Sequence, residues 1–219
     1  MSSDVRAVPA RQQADASPVP RVNAATNGES ARLHAALGDA MSSVSDAERV
    51  VDESSASLDL ESLLQPKKLG TADGRQSLLG MLERAEELSN LRRQVAGENL
   101  ERVRTAAIAA PVAPVVAQDF LQAFDVHAVE TLRAADQLHE MELQSIATSR
   151  HMITFMEQNQ ARYQLRGDSL MFSSQGMQVQ YMHYLTQVGQ MLQRQTKARG
   201  LAVAARRDQA QLVESLAGG

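Results

Sequence analysis

The 219-residue sequence contains no cysteine, no tryptophan and only 3% aromatic residues. The absence of cysteine excludes disulfides, thiolate metal sites and cysteine nucleophiles. Large rings normally supply much of the buried area of a globular core. Because Leu, Val, Ala and 10 Met must supply it here, the composition favours packed helices over a deep enzyme core.

Long hydrophobic runs are also missing. No stretch approaches the roughly 20 apolar residues that a membrane span requires, so we expect no direct membrane insertion. The N-terminal segment lacks the apolar centre of a cleaved secretory signal. The net charge of -4 provides no basic footprint for nucleic acid. We therefore expect a chain made in the cytoplasm and, if it leaves, exported to the envelope or medium without a cleaved signal peptide.

Two N-terminal segments contain little apolar sequence. Residues 1–30 are rich in Ser, Ala, Pro and Gln, a composition that predicts a disordered arm and a candidate export signal. Residues 31–74 show scattered helix signals, including a capping box formed by Ser45 and Glu48. Pro66 and Gly70 punctuate a linker at the end of this segment. We expect only marginal helices and linker over 31–74.

Residues 75–114 predict an amphipathic helix followed by a Pro/Ala linker. Apolar residues recur at helical spacing from Leu78 to Leu100, with charged residues between them. The prolines at 111 and 114 end this helix and mark the main boundary of the chain.

The segment 115–219 predicts a helical hairpin that serves as the assembly region. Apolar residues at helical spacing indicate one helix over about 119–165 and a second over about 169–215. Gly167 and Asp168 form the best turn signal between them, although one continuous helix through 166–168 remains an alternative. The predicted fold class is therefore all-α, with a disordered N-terminal arm and long helices that form a C-terminal hairpin.

The second helix of this hairpin carries the features expected of a subunit interface. Its glycines at 176, 189 and 200 lower helix stability, which indicates either close packing of another backbone or a bend in the helix, and of the two we predict close packing. Many Gln residues accompany them and fit lateral packing between subunits. The Met-rich stripe fits either an adaptable binding surface or simple core filling. The residues predicted to contact another subunit are Met177, Tyr181, Met182, Leu185, Val188 and Leu192.

No motif in the sequence indicates catalysis, a cofactor or a metal site. Phosphate-binding, dinucleotide-binding and nucleophile-elbow motifs are absent. The segment 139–143 resembles a zinc-protease helix, but Leu143 replaces the second ligand of that motif. We interpret the five histidines as structural or surface residues. The basic run from Arg194 to Arg207 indicates a solvated helix face that complements the helix dipole, or contact with an anionic surface.

The stretch 167–219 resembles the C-terminal part of type III secretion inner-rod proteins, the needle adapters. The likeness lies in Gly167-Asp168-Ser169-Leu170, which resembles the turn and helix start of that family, and in Met177-Gln178-Val179-Gln180. Four further positions fall near the remaining pattern: Met182, Leu192, Lys197 and Gln209. The composition of residues 1–30 is similar to the N-terminal export signals of type III substrates. The resemblance implies a secreted structural subunit, present in a few copies at the needle base in the periplasmic part of the basal body.

Two functional hypotheses follow from these features. The first is a structural subunit of a protein-export apparatus, with itself and other helical subunits of the machine as partners. The second is a cytoplasmic helical adapter or chaperone-like binding module. A third class, an enzyme, would need a polar constellation that the sequence does not contain.

Overall fold

The computed structural model describes residues 27–218, and within them the side chains of residues 28–215. The first 26 residues of the predicted N-terminal arm, with its candidate export signal, lie outside the described residues. The last four residues of that arm begin the first helix. The predicted all-α fold class is confirmed.

Four long helices and one short helix build the fold, together with a small two-stranded sheet. The helices are α1 (Asn27–Ala56), α2 (Pro66–Gly70), α3 (Ala72–Ala109), α4 (Pro114–Gln158) and α5 (Gln175–Gly218). The strands are β1 (Tyr163–Arg166) and β2 (Ser169–Phe172), and 3-10 turns occupy Leu60–Leu64 and Gln160–Arg162. The long helices pack chiefly in the ring order α1, α3, α4, α5 and back to α1. Consecutive long helices are antiparallel, so the arrangement is an up-and-down four-helix bundle.

Helix α1 replaces the marginal helices that were expected over 31–74. Leu33, Leu37 and Val51 are almost fully buried and lie on one side of a continuous 30-residue helix. The capping box at Ser45 predicted the start of a separate helix there, and no such start occurs. Because packing of an apolar face stabilises a helix more than local propensity does, a weak cap signal inside the helix does not interrupt it.

Helices α3 and α4 begin earlier than predicted. Thr71 caps α3 by accepting a hydrogen bond from the Gly74 amide at 3.1 Å. Helix α4 starts at Pro114 rather than near residue 119. Proline is tolerated in a first helical turn because the amide it lacks would have no partner inside the helix. The linker between α3 and α4 is therefore only four residues long.

The predicted hairpin exists, but a β-hairpin forms its tip. Helix α4 ends at Gln158, and residues that were expected to be helical, including Leu170, form β1 and β2 instead. The two strands pair from Tyr163 with Phe172 to Arg166 with Ser169. Gly167 has a φ angle of 60°, which suits the first position of a two-residue hairpin turn. The turn at Gly167 and Asp168 is thus placed correctly, whereas the elements that it joins are strands.

The bundle contains two separate apolar cores. The loop-end core lies beside the connection between α3 and α4, and all four long helices contribute to it. It is formed by Leu33, Leu37, Leu100, Val103, Ala107, Ala110, Val116, Phe120, Ala123, Phe124, Ala128, Leu212 and Val213.

The hairpin-end core lies beside the β-hairpin. It is formed by Leu63, Leu69, Leu78, Leu82, Ile146, Met152, Ile153, Phe155, Met156, Tyr163, Met177, Tyr181 and Val188. No buried residue of α1 belongs to it, because α1 ends at Ala56 near the middle of the bundle. The turn Leu60–Leu64 and helix α2 cover α3 there in place of a fourth long helix.

Candidate functional site on the last helix

The predicted subunit-interface residues lie mostly inside the chain. The structure places five of the six against the hairpin-end core: Met177, Tyr181, Leu185, Val188 and Leu192. Only Met182 is well exposed, at 53%. The five residues therefore do not form the outward surface that was predicted. Apolar spacing identifies the buried face of a helix, but it does not distinguish a partner in the same chain from one in another chain.

The three glycines of α5 have no close neighbour in the described structure. A Cβ atom built at Gly176, Gly189 or Gly200 would meet no heavy atom within 4 Å outside the glycine's local backbone. The close packing predicted for these positions is absent among the residues that the structure describes. Each glycine lowers helix stability by about 1 kcal/mol relative to alanine, and no contact within the described residues offsets that cost.

One long segment around the start of α5 carries no charged residue. It spans 25 residues, from Ser169 through Gln193, and is bounded by Asp168 and Arg194. His183 is its only histidine. Solvated helix faces normally carry Lys, Glu and Arg, so an exposed face without them is unusual for a surface that stays in water.

The outward face of this segment is open to solvent. Val179 is 62% exposed and Met182 is 53% exposed. Thr186 and Gln190 follow on the same side at helical spacing and are also exposed. Protein interfaces are depleted in charged residues at their centres and enriched in methionine. The face therefore has the composition of a protein interface rather than that of a solvated helix.

A groove runs beside this face, where a fourth long helix is missing. It lies between α5 and the segment 60–66 and has a volume of about 680 Å³. Leu60, Leu64 and Pro66 line one side, and Gly189 and Leu192 belong to the other. The groove exists because α1 ends at Ala56, near the middle of the bundle, and does not extend along the hairpin-end part of α5.

Charged and polar residues occupy the middle of the bundle, between the two cores. Glu142, on α4, accepts two hydrogen bonds from Arg92 of α3, at 2.5 and 2.7 Å. Arg92 also donates to Ser55 of α1, and Arg199 of α5 lies 3.3 Å from Glu142. Glu142 thereby links four helices through two arginines. Both partners of the Arg92–Glu142 pair are shielded, with side-chain exposures of 11% and 6%.

Arg199 connects this polar layer to the groove. Its Nε atom is buried and has no hydrogen-bond partner among the described residues. Other atoms of the same side chain line the groove.

A second concavity lies between α1 and α5 nearer the loop end. It has a volume of about 330 Å³, and Glu48, Asp52 and Arg206 are among its lining residues. Arg206 lies 3.5 Å from Glu48 and 3.6 Å from Asp52. Burial raises the pKa of Glu48, partly opposed by the nearby Arg206. Three charged groups of this cleft, Glu48, Asp52 and Arg206, pair with one another, whereas Arg207 lines the cleft and is exposed.

Sequence reasoning missed the polar layer, although α4 contained a signal for it. The basic run from Arg194 to Arg207 was interpreted as a solvated face or an anionic-surface contact. Arg194 and Lys197 are exposed as that interpretation requires. Arg199 and Arg206 instead pair with carboxylates of α4 and α1. The signal was Glu142, an acid one turn from Leu138 and Ile146 on the apolar stripe of α4.

The described residues offer no arrangement for metal chemistry and no membrane span. Within residues 27–218, no group of three His, Asp or Glu side chains is placed to hold a metal ion. His139 contacts the Ser89 hydroxyl at 2.9 Å, across the α3–α4 interface. No helix in the described part of the chain is long and apolar enough to cross a membrane.

Comparisons with known proteins leave the chain without a family assignment. No family model matches it, and no curated protein or solved structure matches it at a significant level.

Proposed function

We propose that the chain is a non-catalytic structural subunit of a protein-export apparatus, similar to a type III secretion inner-rod protein, that self-associates through α5. The observation that carries the proposal is the open, uncharged face of α5, where Val179 and Met182 are more than half exposed. A face of this composition gains free energy when a partner covers it, because apolar area leaves water and no charge loses its hydration.

The export part of the proposal has separate support. The sequence from Gly167 onward resembles the inner-rod family, and the N-terminal composition resembles the export signals of type III substrates. The chain also lacks cysteine, so its assembly depends on no redox step. In this proposal the bundle is the form before assembly, and α5 is the element through which subunits meet.

A cytoplasmic helical adapter or chaperone-like module is the second candidate. The observation that favours it is that five predicted interface residues pack in or against the chain's own hairpin-end core, three of them buried and two partly buried. A bundle that satisfies its apolar stripe internally is a preformed module, and it can bind a partner without rearrangement. An adapter of this kind stays in the cell and forms a complex of fixed size.

Fractionation of native cells distinguishes the two candidates. The export proposal predicts the chain in purified envelope complexes or in the medium, at its full length. Deletion of residues 2–25 should then retain the chain in the cytoplasm, and a cytoplasmic marker enzyme controls for lysis. A chain confined to the cytoplasm, or export unchanged by the deletion, would contradict the export proposal and favour the adapter. Circular dichroism of the deleted chain verifies that the bundle still folds.

A further inference from the structure

We propose that α5 pairs with α5 of a second copy, antiparallel and centred on Gly189, with the second helix lying along the groove between α5 and residues 60–66. This inference rests on the proposed self-association and specifies its geometry. The paired helix would take the fourth position of the bundle at the hairpin end, where α1 is absent.

The distribution of charge along α5 favours an antiparallel pair. The helix is uncharged through Gln193, and then carries Arg194, Lys197 and Arg199 within six residues. A parallel pair in register would place each of these cations beside its own copy, which is repulsive. An antiparallel pair places the basic half of one helix beside the uncharged half of the other.

The same charges limit where the pair can be centred. With the two-fold axis at Gly189, Arg194 lies level with Tyr184 of the second copy, and Lys197 with Tyr181. A centre several residues closer to the C-terminus would bring the two basic halves together. A centre much closer to the N-terminus of α5 would place the pair against the β-hairpin, which lies just before the first residue of α5. The middle of the available range therefore falls near Gly189.

The local structure at Gly189 suits a close approach of two backbones. Gly189 lines the groove, and a Cβ atom placed there would meet nothing within 4 Å. Glycine at a helix contact lets a second helix come nearer than any other residue allows. Met182 and Thr196 lie seven residues on either side, so each would face the other across the pair. Both are exposed in the single chain.

The groove is also partly polar. Glu61, Gln65 and Arg199 are among its lining residues. An isologous contact of this type closes on itself and produces a dimer, to which further contacts can add.

Cysteine cross-linking tests the pairing directly, because the natural chain has no cysteine to interfere. Two copies of Gly189→Cys would meet at the axis within the 4.4–6.8 Å Cα separation that a disulfide needs. We expect at least about tenfold more linked dimer from Gly189→Cys than from Gly97→Cys under mild oxidation, because paired thiols have a high effective concentration. Gly97 is the matched control, since it lies within α3 and is also open to a Cβ.

Register and direction follow from a second set of variants. An equimolar mixture of Met182→Cys and Thr196→Cys chains should form the mixed disulfide in preference to either homodimer. Preferential Met182→Cys homodimers would indicate a parallel pair and overturn the proposal.

The outcomes separate this inference from the function on which it rests. If the unmodified chain shows a concentration-dependent rise in mass but Gly189→Cys links no faster than Gly97→Cys, self-association stands and the Gly189-centred pair is wrong. If the unmodified chain remains monomeric at every concentration, self-association itself is wrong. Circular dichroism of each variant verifies its fold, and a misfolded Gly189→Cys chain would contradict the open geometry at this position.

Discussion

The two ends of the bundle enclose α5 to different degrees. At the loop end, α5 packs against both α4 and α1, and Leu212 and Val213 join a core shared by all four long helices. At the hairpin end, α5 packs on α4 and contacts the turn Leu60–Leu64. Its remaining side faces a groove of about 680 Å³. The same helix is thus a core element at both ends, but at the hairpin end one of its sides stays open.

The composition of α5 follows this difference. Its hairpin-end half is uncharged up to Gln193, whereas its loop-end half carries the cations that pair with Glu142 and Glu48. Arg199 and Arg206 therefore lie where the chain supplies carboxylate partners, and no charge occurs on α5 beside the groove up to Gln193. This distribution favours the proposal that the groove is a site for another helix.

The largest expected effect comes from the polar layer that separates the two ends. Glu142→Ala should lower the free energy of unfolding by about 3–5 kcal/mol, because it leaves the shielded Arg92 guanidinium without its carboxylate. Asp136→Ala is the matched control, since Asp136 pairs with Arg93 across the same two helices at 2.7 Å but is 57% exposed. The control should lose no more than about 1 kcal/mol. Chemical denaturation measures both changes.

A double variant tests the physical reason. Arg92→Met with Glu142→Met removes both charges and should recover most of the stability lost by Glu142→Ala. If the double variant is as unstable as the single one, the loss does not arise from the unpaired Arg92 charge.

A smaller effect should distinguish two buried tyrosines of the hairpin end. The Tyr163 hydroxyl accepts a hydrogen bond from Arg75 at 2.7 Å, so Tyr163→Phe should lower the free energy of unfolding by about 1–3 kcal/mol. The Tyr181 hydroxyl is buried without a hydrogen-bond partner in the described structure, and burial raises its pKa to about 12. Tyr181→Phe should therefore raise the free energy of unfolding by about 1 kcal/mol.

Thermal and chemical denaturation of the two phenylalanine variants should give changes of opposite sign. Equal losses in both variants would mean that the Tyr181 hydroxyl has a partner after all. Such a result would make the hairpin-end core more polar than the structure describes.

The smallest effect concerns pH at the cleft between α1 and α5. The pKa of Glu48 is raised above its ordinary value of 4.5, chiefly by burial. The folded state therefore binds a proton there more tightly than the unfolded state does, and ionisation of Glu48 lowers stability as pH rises above 4.5. Glu48→Gln removes this loss, so the variant should gain stability relative to the natural chain as pH increases through that range.

Denaturation at several pH values measures the difference between the two chains. A difference that moves in favour of the natural chain with rising pH would show that the ion pair with Arg206 outweighs burial. In that case the contact between α1 and α5 would be stabilised by charge rather than by the apolar residues around it.

The sequence predicted the fold class and the main elements, but it did not predict which faces meet. Helical spacing located α3, α4 and α5, and Gly167 located the turn of the hairpin. The length of α1 was missed because its cap signals are local, whereas its stability comes from contacts with α3. The β-hairpin was missed because a four-residue strand is too short to separate from a helix by periodicity.

The candidate site was predicted on α5, and most of its residues lie on the face of α5 that packs inside the chain. The interface residues were chosen for their apolar spacing, which followed the side of α5 that packs on α4. Met182 and the three glycines were the predicted positions without close packing in the chain. The outer surface was recognisable from what it lacks, since no charged residue occurs from Ser169 to Gln193.

Sedimentation of the full chain over a range of concentrations tests the central claim, that the open face of α5 is the assembly surface. Met182→Glu places a charge on this face, whereas Val126→Glu places one on an equally open site of α4, where Val126 is 66% exposed. We predict that the natural chain and Val126→Glu both gain mass with concentration, and that Met182→Glu stays monomeric with unchanged helical content. Association that survives Met182→Glu, or that is lost only in Val126→Glu, would contradict the claim.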